Sequence, residues 1–397
     1  MKVKVSTIHA VLIYLLVFFS TTYISYNPIR YILLVAVALM VLPNAKVLFV
    51  RDNRAINVSM AAFCIAVLVV SYINRNGYIE RNPFLAAIVF VATLVEFTMT
   101  VEIFCQSDAM SDLLHVFYWM TFWIVVATDL LILFTNVHLR FGGDVFLVGT
   151  KFSVIYMHFY LIAFFFADKR IRLQSVSKKS FMDKMVLILL LAITMMMSIK
   201  LGTATGIIGT AALLLFLWIS DANINCILNS KSFLVAFLAS VLFAIFVEVV
   251  LSNSVVTYVI TQLLGKDITL TCRTVIYSMF PKIMENHWMW GFGYGTGYEV
   301  LMRYGIVDAQ NGIFDWVQQV GVLGTLLLTI WLSISMKRAK VELDINASGV
   351  KSLTALVYVF ILLATVEITY SSKFLAVIVL LYGAKMQNMR EQERALK

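Results

Sequence analysis

The amino-acid sequence predicts an all-α polytopic membrane protein with about twelve transmembrane helices, and three observations carry that expectation. Hydrophobic residues make up 61% of the 397 positions. Charged residues make up only 13% and the mean hydropathy is +0.91, whereas a soluble chain carries roughly twice that charge fraction. Apolar runs of about 20 residues recur along the whole length, each able to cross a hydrocarbon core about 30 Å thick. Backbone groups in lipid must be paired within their own segment, so these runs are expected as helices and not as barrel strands.

In chain order the spans are expected at 8–26, 29–45, 56–73, 84–105, 112–134, 150–167, 184–199, 203–220, 233–251, 311–335, 352–370 and 372–387. The first follows Lys2 and Lys4 and has no small-residue cleavage site, so it reads as a retained span and not as a removed signal peptide. Residues 1–251 then form an N-terminal bundle of about nine spans, and 252–310 a large loop between spans nine and ten. Residues 311–397 supply about three more spans and a tail.

Lysines and arginines set the orientation, because cytoplasmic loops retain them. With the N-terminus inside, the inner loops and tail hold 20 of the 31 basic residues, among them Lys46, Arg51, Arg54, Lys169, Arg170, Arg172 and Lys337. Four of the remaining 11, Lys266, Arg273, Lys282 and Arg303, fall in the 252–310 loop. Both termini are therefore expected in the cytoplasm and the loop outside. The net charge of +9 is mostly this topology signal. Nothing presents a soluble basic groove, which argues against nucleic-acid binding. Cys64, Cys105 and Cys226 lie in or beside apolar runs and show neither metal spacing nor a disulfide framework.

The segment from Lys266 to Gly324 is polar where its flanks are fit only for lipid. Thr271-Cys-Arg-Thr-Val-Ile-Tyr-Ser-Met-Phe-Pro281 predicts a short interfacial helix with Arg273 and Tyr277 on one face and Met279 and Phe280 toward lipid. Trp288 and Trp290 suit the membrane interface. Glycines at 291, 293, 295 and 297 could turn backbone N–H groups toward an anion, although a tight packed turn explains such a run equally simply. Arg273 and Arg303 suit forked recognition of a pyrophosphate, and lipid-headgroup contact is the plainer account of each. Downstream, Asn311, Asp315 and Gln318 or Gln319 fall on one helical stripe. A desolvated carboxylate at Asp315 could act as a general base, or the stripe could be an ordinary interfacial helix start.

Arg273-Thr-Val-Ile-Tyr, then Gly-Phe-Gly-Tyr-Gly, then Gln-Asn-Gly-Ile-Phe-Asp ending in Gly-Val-Leu-Gly resembles the outer-loop signature of the O-antigen polymerase and ligase superfamily. Phe146-Leu-Val-Gly-Thr-Lys-Phe-Ser-Val-Ile-Tyr156 is similar to an outer-face element of capsule and exopolysaccharide polymerases, and Glu367 matches a glutamate often found near the outer end of span eleven. Two departures stand out. Cys272 replaces a common glycine and Gln310 a common histidine, so a base role would fall on Asp315, Asp308 or His287. The resemblance implies a bacterial cytoplasmic-membrane glycosyltransferase working on the outer face. It would move a growing glycan from undecaprenyl diphosphate to the non-reducing end of the next lipid-linked repeat unit. It implies no metal and no cofactor, and as partners the lipid-linked oligosaccharide, the bilayer, and flippase and chain-length regulator proteins. On that reading Arg273, Asp315 and His287 are the catalytic candidates. Arg303, Lys282, Tyr277, Gly293, Gly295, Gln310, Asn311, Lys151, Arg140, Lys200 and Glu367 are the substrate-binding candidates.

Two alternatives remain: a ligase with the same signature, and a lipid-linked oligosaccharide flippase or other transporter. A transporter would favour two matching halves, and no internal repeat is visible. Glu96, Glu102, Asp129, Glu248 and Glu367 lie in or near apolar runs, where a carboxylate costs roughly 2.5–3.5 kcal/mol and usually faces the bundle interior.

Overall fold

The structure, a computed structural model, describes residues 4–19, 27–49, 53–78, 81–134, 139–140, 144–168, 176–258, 261–262, 273–339 and 348–395. The first five helices are α1 (Val5–Val17), α2 (Asn27–Val41, continued by a 3-10 segment Leu42–Phe49), α3 (Arg54–Ile73), α4 (Pro83–Gln106) and α5 (Met110–Phe134). A small antiparallel sheet, β1 (Leu139–Arg140), β2 (Asp144–Phe146) and β3 (Gly149–Thr150), leads into α6 (Lys151–Ala167). Then come α7 (Val176–Lys200), α8 (Ala204–Ile227), α9 (Ser230–Ile245) and three short helices, α10 (Val247–Leu251), α11 (Ser254–Tyr258) and α12 (Arg273–Ile283). The chain closes with α13 (Gly297–Met302), α14 (Gly312–Ala339), α15 (Ser348–Leu363) and α16 (Ser372–Ala395).

Among the described residues, seven helices are long and apolar enough to cross a membrane, and four shorter apolar helices accompany them. The chain is an all-α polytopic membrane protein apart from the three short strands. Local sequence sets several boundaries. Asn82 accepts from the N–H groups of Phe84 and Leu85 with Pro83 at the first helical position, and Asn229 caps α9 through the Ser232 N–H. Span nine, expected as one run over 233–251, divides at Phe246 into α9 and α10, and the helix expected to run to 370 ends at Leu363.

The centre of the bundle is α15 and α16. Leu353, Leu356, Val359, Phe374, Leu375, Val377 and Leu380 are fully buried, as suits helices that are apolar on every side. Around them α15 packs on α8 and α6, α16 on α4, and α14 on α3 and α9. The outer surface keeps large apolar side chains exposed, among them Ile32, Leu39, Trp123, Phe134, Ile188, Trp218, Val235 and Leu242. In water such a surface would aggregate; against lipid it is matched.

The most consequential local feature is a break inside α14 at Gly321, where φ is 70° and ψ is 179°. It strips the helix of backbone partners on both sides of that residue. The segment Trp288–Gly293 supplies them: Phe292 N donates to Gln318 O and Gly293 N to Gln319 O, each at 2.8 Å, and Val322 N donates to Trp288 O at 2.8 Å. The backbone of 289–290 comes so close that a Cβ at position 321 would collide with the Met289 carbonyl. Gly321→Ala combines that collision with an unfavourable left-handed backbone. It is expected to lower the melting temperature by about 5 °C or more in a fluorescence-detected thermal ramp.

Candidate functional site: an amphipathic cavity at one end of the bundle

The start of α6, the α7–α8 turn, the ends of α9 and α10, α11, the start of α12 and the α15–α16 turn surround a cavity of about 540 Å³. That size suits a small ligand or the head of a larger one. One wall is apolar, with Ile208, Phe243, Val250, Leu251, Val256 and Leu362. The other carries Lys151, Arg273, Gln310, Thr365 and Glu367.

The polar wall is held by hydrogen bonds between segments far apart in sequence. Positions 273 and 277 lie one turn apart on one face of α12, as the sequence predicts, and there both reach the loop after α15. Arg273 donates through Nε to Val366 O and through Nη2 to Glu367 Oε1, each at 2.8 Å. The two side chains of this ion pair are 12% and 10% exposed. Tyr277 OH lies 2.7 Å from Gln310 O and 2.8 Å from Thr365 O, so its one proton is shared between two carbonyls. Gln310 adopts φ +50°, and its N–H donates to Asp308 Oδ1.

Burial pushes the Glu367 carboxyl up to about 7, against the pull of the Arg273 guanidinium. Asp308 pushes the same way as burial, and Lys151 opposes it. Burial likewise raises the Tyr277 phenol. Lys151 has no ion-pair partner among the described residues. With one carboxylate against two cations, this wall has a net positive charge and favours an anion.

Several expectations change here. The glycine run does not form an open anion nest. Gly291 N donates to His287 O, Tyr294 N to Ser71 Oγ and Gly295 N to Gln319 Oε1, and residues 292 and 293 pair with the α14 break. Gly293 and Gly295 therefore sit in a packed turn against Pro83, Ala86 and Arg81. Asn311 leaves the expected stripe because it is the cap of α14. Its Oδ1 accepts from Ile313 and Phe314 N–H, and its Nδ2 donates to Thr365 O. Phe280 is buried and stacks on Phe314 at 4.1 Å, so it faces protein and not lipid.

Arg303 parts company with Arg273. It is exposed at the end of α13, 3.3 Å from Gly77 O, 3.5 Å from Glu299 and over the Tyr78 ring. Asp315 accepts from Gln319 Nε2 and faces Gly297, while the His287 ring stacks on Phe292. Neither lines the cavity. Lys282 and Lys200 are exposed and also lie outside it. Lys266, Cys272 and the side chains of Arg140 and Glu248 fall outside the described residues. The structure thus gathers Arg273, Tyr277, Gln310, Asn311, Lys151 and Glu367, and separates Arg303, Lys282, Lys200, Asp315, His287 and the glycines from them.

The sequence points to the α7–α8 turn through Lys200 in Ile-Lys-Leu-Gly-Thr-Ala-Thr-Gly206, but the residues of that turn that line the cavity are Gly202, Thr203, Ala204 and Thr205. The available signal was Gly-Thr-Ala-Thr-Gly at the start of an apolar helix, a hydroxyl-rich mouth. The intramembrane acids mostly find partners: Glu102 accepts from Asn53 and Asn57, and Asp129 lies 3.2 Å from His158.

Tyr277→Phe removes the donor that serves the Gln310 carbonyl, a loss of about 1–3 kcal/mol for a buried acceptor. A lowered melting temperature with an unchanged gel-filtration profile is the expected result. In comparisons with known proteins, no family model and no curated protein matches this chain.

Proposed function

We propose that this cavity is the active site of a polysaccharide polymerase that moves a growing glycan from undecaprenyl diphosphate onto the next lipid-linked repeat unit. One observation carries the reading. A single cavity joins an apolar wall to a wall of net positive charge, and that combination matches a substrate that is lipid at one end and diphosphate at the other. The resemblance of the Arg273, glycine and Gln310–Asp315 segments to the O-antigen polymerase and ligase superfamily agrees with it.

In the proposed step the bond from the anomeric carbon to the diphosphate oxygen breaks, and its electron pair leaves with the diphosphate. A hydroxyl oxygen of the acceptor sugar forms the new glycosidic bond and gives its proton to the Glu367 carboxylate. Arg273 and Lys151 stabilise the charge that builds on the leaving diphosphate. The guanidinium fork suits that anion better than a single carboxylate does, so a bound diphosphate competes with Glu367 for Arg273. A Glu367 relieved of its cation is a stronger base. Glu367 takes the role for which the sequence offered Asp315, Asp308 or His287.

Arg273→Ala is expected to cut polymer formation about 10²–10³-fold and leave single repeat units on lipid. Arg303→Ala should retain most activity. The assay is purified protein with synthetic lipid-diphosphate repeat units and a gel for laddered product. Wild-type ladders from Arg273→Ala would remove this reading.

The pH dependence has a definite sign. The base must be ionised, so kcat/KM, which follows the ligand-free protein, should rise as pH passes through about 7 and level off above it. Glu367→Gln should be slower by about 10²-fold or more and should lose that rise.

The reading also places the cavity on the outer face, with about twelve spans and both termini cytoplasmic. A cysteine replacing the exposed Lys282 in a cysteine-free chain should react with a membrane-impermeant maleimide in intact cells. Labelling only after lysis would invert the topology and overturn the reading.

A further inference from the structure

Two arginines that the proposed reaction leaves unused meet on the side of α14 away from the cavity. Arg30 stands in the first turn of α2 and Arg81 just before α4, and these two helices pack together. Neither side chain lines the cavity, and neither makes a hydrogen bond or an ion pair among the described residues. The two guanidiniums repel one another, and both act on the phenol of Tyr294, so the three share one neighbourhood. Arg81 lies along the glycine turn: a Cβ at Gly295 would sit 3.6 Å from its Cδ and its Nε. An anion between two such cations relieves their repulsion.

Tyr294 adds an independent observation. Its ring stacks on Phe90 at 4.5 Å with Trp316 6.0 Å away, and its N–H donates to Ser71 Oγ. The hydroxyl of this fixed ring has no hydrogen-bond partner among the described residues, and it is not sealed in as those of Tyr370 and Tyr382 are. Burial pushes the phenol up to about 12, against the pull of Arg30 and Arg81 and with a push from Asp315. It therefore keeps its proton and can donate. Asp315 Oδ2 accepts from Gln319 and pairs with neither arginine, and Gln319 in turn accepts from the Gly295 N–H. Both cations and the hydroxyl are thus open to a ligand.

We propose that Arg30, Arg81 and the Tyr294 hydroxyl form a second anion site, which holds the diphosphate of the acceptor repeat unit while the cavity holds that of the donor. The inference rests on the polymerase reading and gives the second lipid-linked substrate its place. The acceptor reacts at its non-reducing end, so its own diphosphate must lie a whole repeat unit away from the reacting carbon. The two sites are separated by α14, a helix roughly 10–12 Å across, so an oligosaccharide anchored at one can present its far sugar at the other. Two guanidiniums match the two charges of a diphosphate diester, whereas a phospholipid phosphodiester offers one. Ile29, Ile32 and Val35 on α2 and Leu85 and Ile88 on α4 are exposed, apolar surface for the tail of such a lipid.

The test counts radiolabelled farnesyl diphosphate bound per chain, with the full chain in phosphatidylcholine nanodiscs and binding to empty nanodiscs subtracted. Wild type should bind two. Arg30→Gln combined with Arg81→Gln should leave one, and Arg273→Ala should leave the other. Arg81→Gln alone should weaken one of the two sites by about tenfold. Arg81 is exposed and bonds no other described residue, so this variant decides if the double one fails to fold. Nanodiscs that contain phosphatidylglycerol separate the two lipid sources of phosphate, and there the second farnesyl diphosphate should still bind.

Undiminished binding in the Arg30 and Arg81 variants, with binding still lost in Arg273→Ala, would overturn the second site and leave the proposed function standing. Binding lost in the Arg30 and Arg81 variants but intact in Arg273→Ala would support this site and overturn the cavity as the place of the donor. Loss of the second farnesyl diphosphate to phosphatidylglycerol would assign the two arginines to phospholipid headgroups and overturn the inference. No binding to wild type would overturn both readings.

Discussion

The structure depends on a backbone exchange between two segments about 30 residues apart. In hydrocarbon a broken helix is tolerable only if other groups pair with the freed N–H and C=O groups. Trp288–Gly293 lies in the Gly321 break of α14 and meets the carbonyls of Gln318 and Gln319 and the N–H of Val322. This explains why polar, glycine-rich sequence can sit among apolar spans without forming a separate domain. It also explains where the glycine N–H groups are directed. Gly293 completes the helix ladder, Gly291 bonds the His287 carbonyl and Gly295 the Gln319 side chain, and those duties are incompatible with an open cradle for an anion.

Two neighbourhoods then form on either side of the first half of α14. On one side Asp315, Gln318 and Gln319 turn to Gly295 and Gly297, next to the loop between α3 and α4. On the other side Asn311 and Gln310 meet Tyr277 and the α15–α16 turn. Arg273 extends this second group by gripping Val366 and Glu367. The end of α15 at Leu363 is thus what leaves Val366 and Glu367 for Arg273 to grip at the cavity. A helix continued to 370 would have kept the Val366 carbonyl within its own ladder.

Much of the fold was legible because apolar length and helix formation are local properties. The run over 84–105 is observed as Pro83–Gln106 and that over 112–134 as Met110–Phe134, with Asn82 and Pro83 marking a start by their own chemistry. The pairing of Arg273 with Tyr277 was legible for the same reason: four residues make one helical turn. Arg303 and Arg273 are both cations of one loop, and nothing in sequence spacing says that Arg303 lies against Gly77 while its counterpart meets Glu367. The left-handed backbone of Gln310 gave no signal, since non-glycine residues adopt it only under tertiary constraint.

Inside the bundle, one small residue acts as a spacer for distant chemistry. Gly209 lies one turn beyond Thr205 on α8, and a Cβ there would come within 2.7 Å of the Phe159 ring and 3.1 Å of Leu363. The missing methyl therefore lets α8 lean directly on α6 and α15. Any larger residue would wedge the helix outward, and the hydroxyl-bearing mouth would swing with it, away from the guanidinium. The gap between those opposing groups is thereby gauged by hydrocarbon contact, so a change that alters no charge and no hydrogen bond could still retune which head group fits.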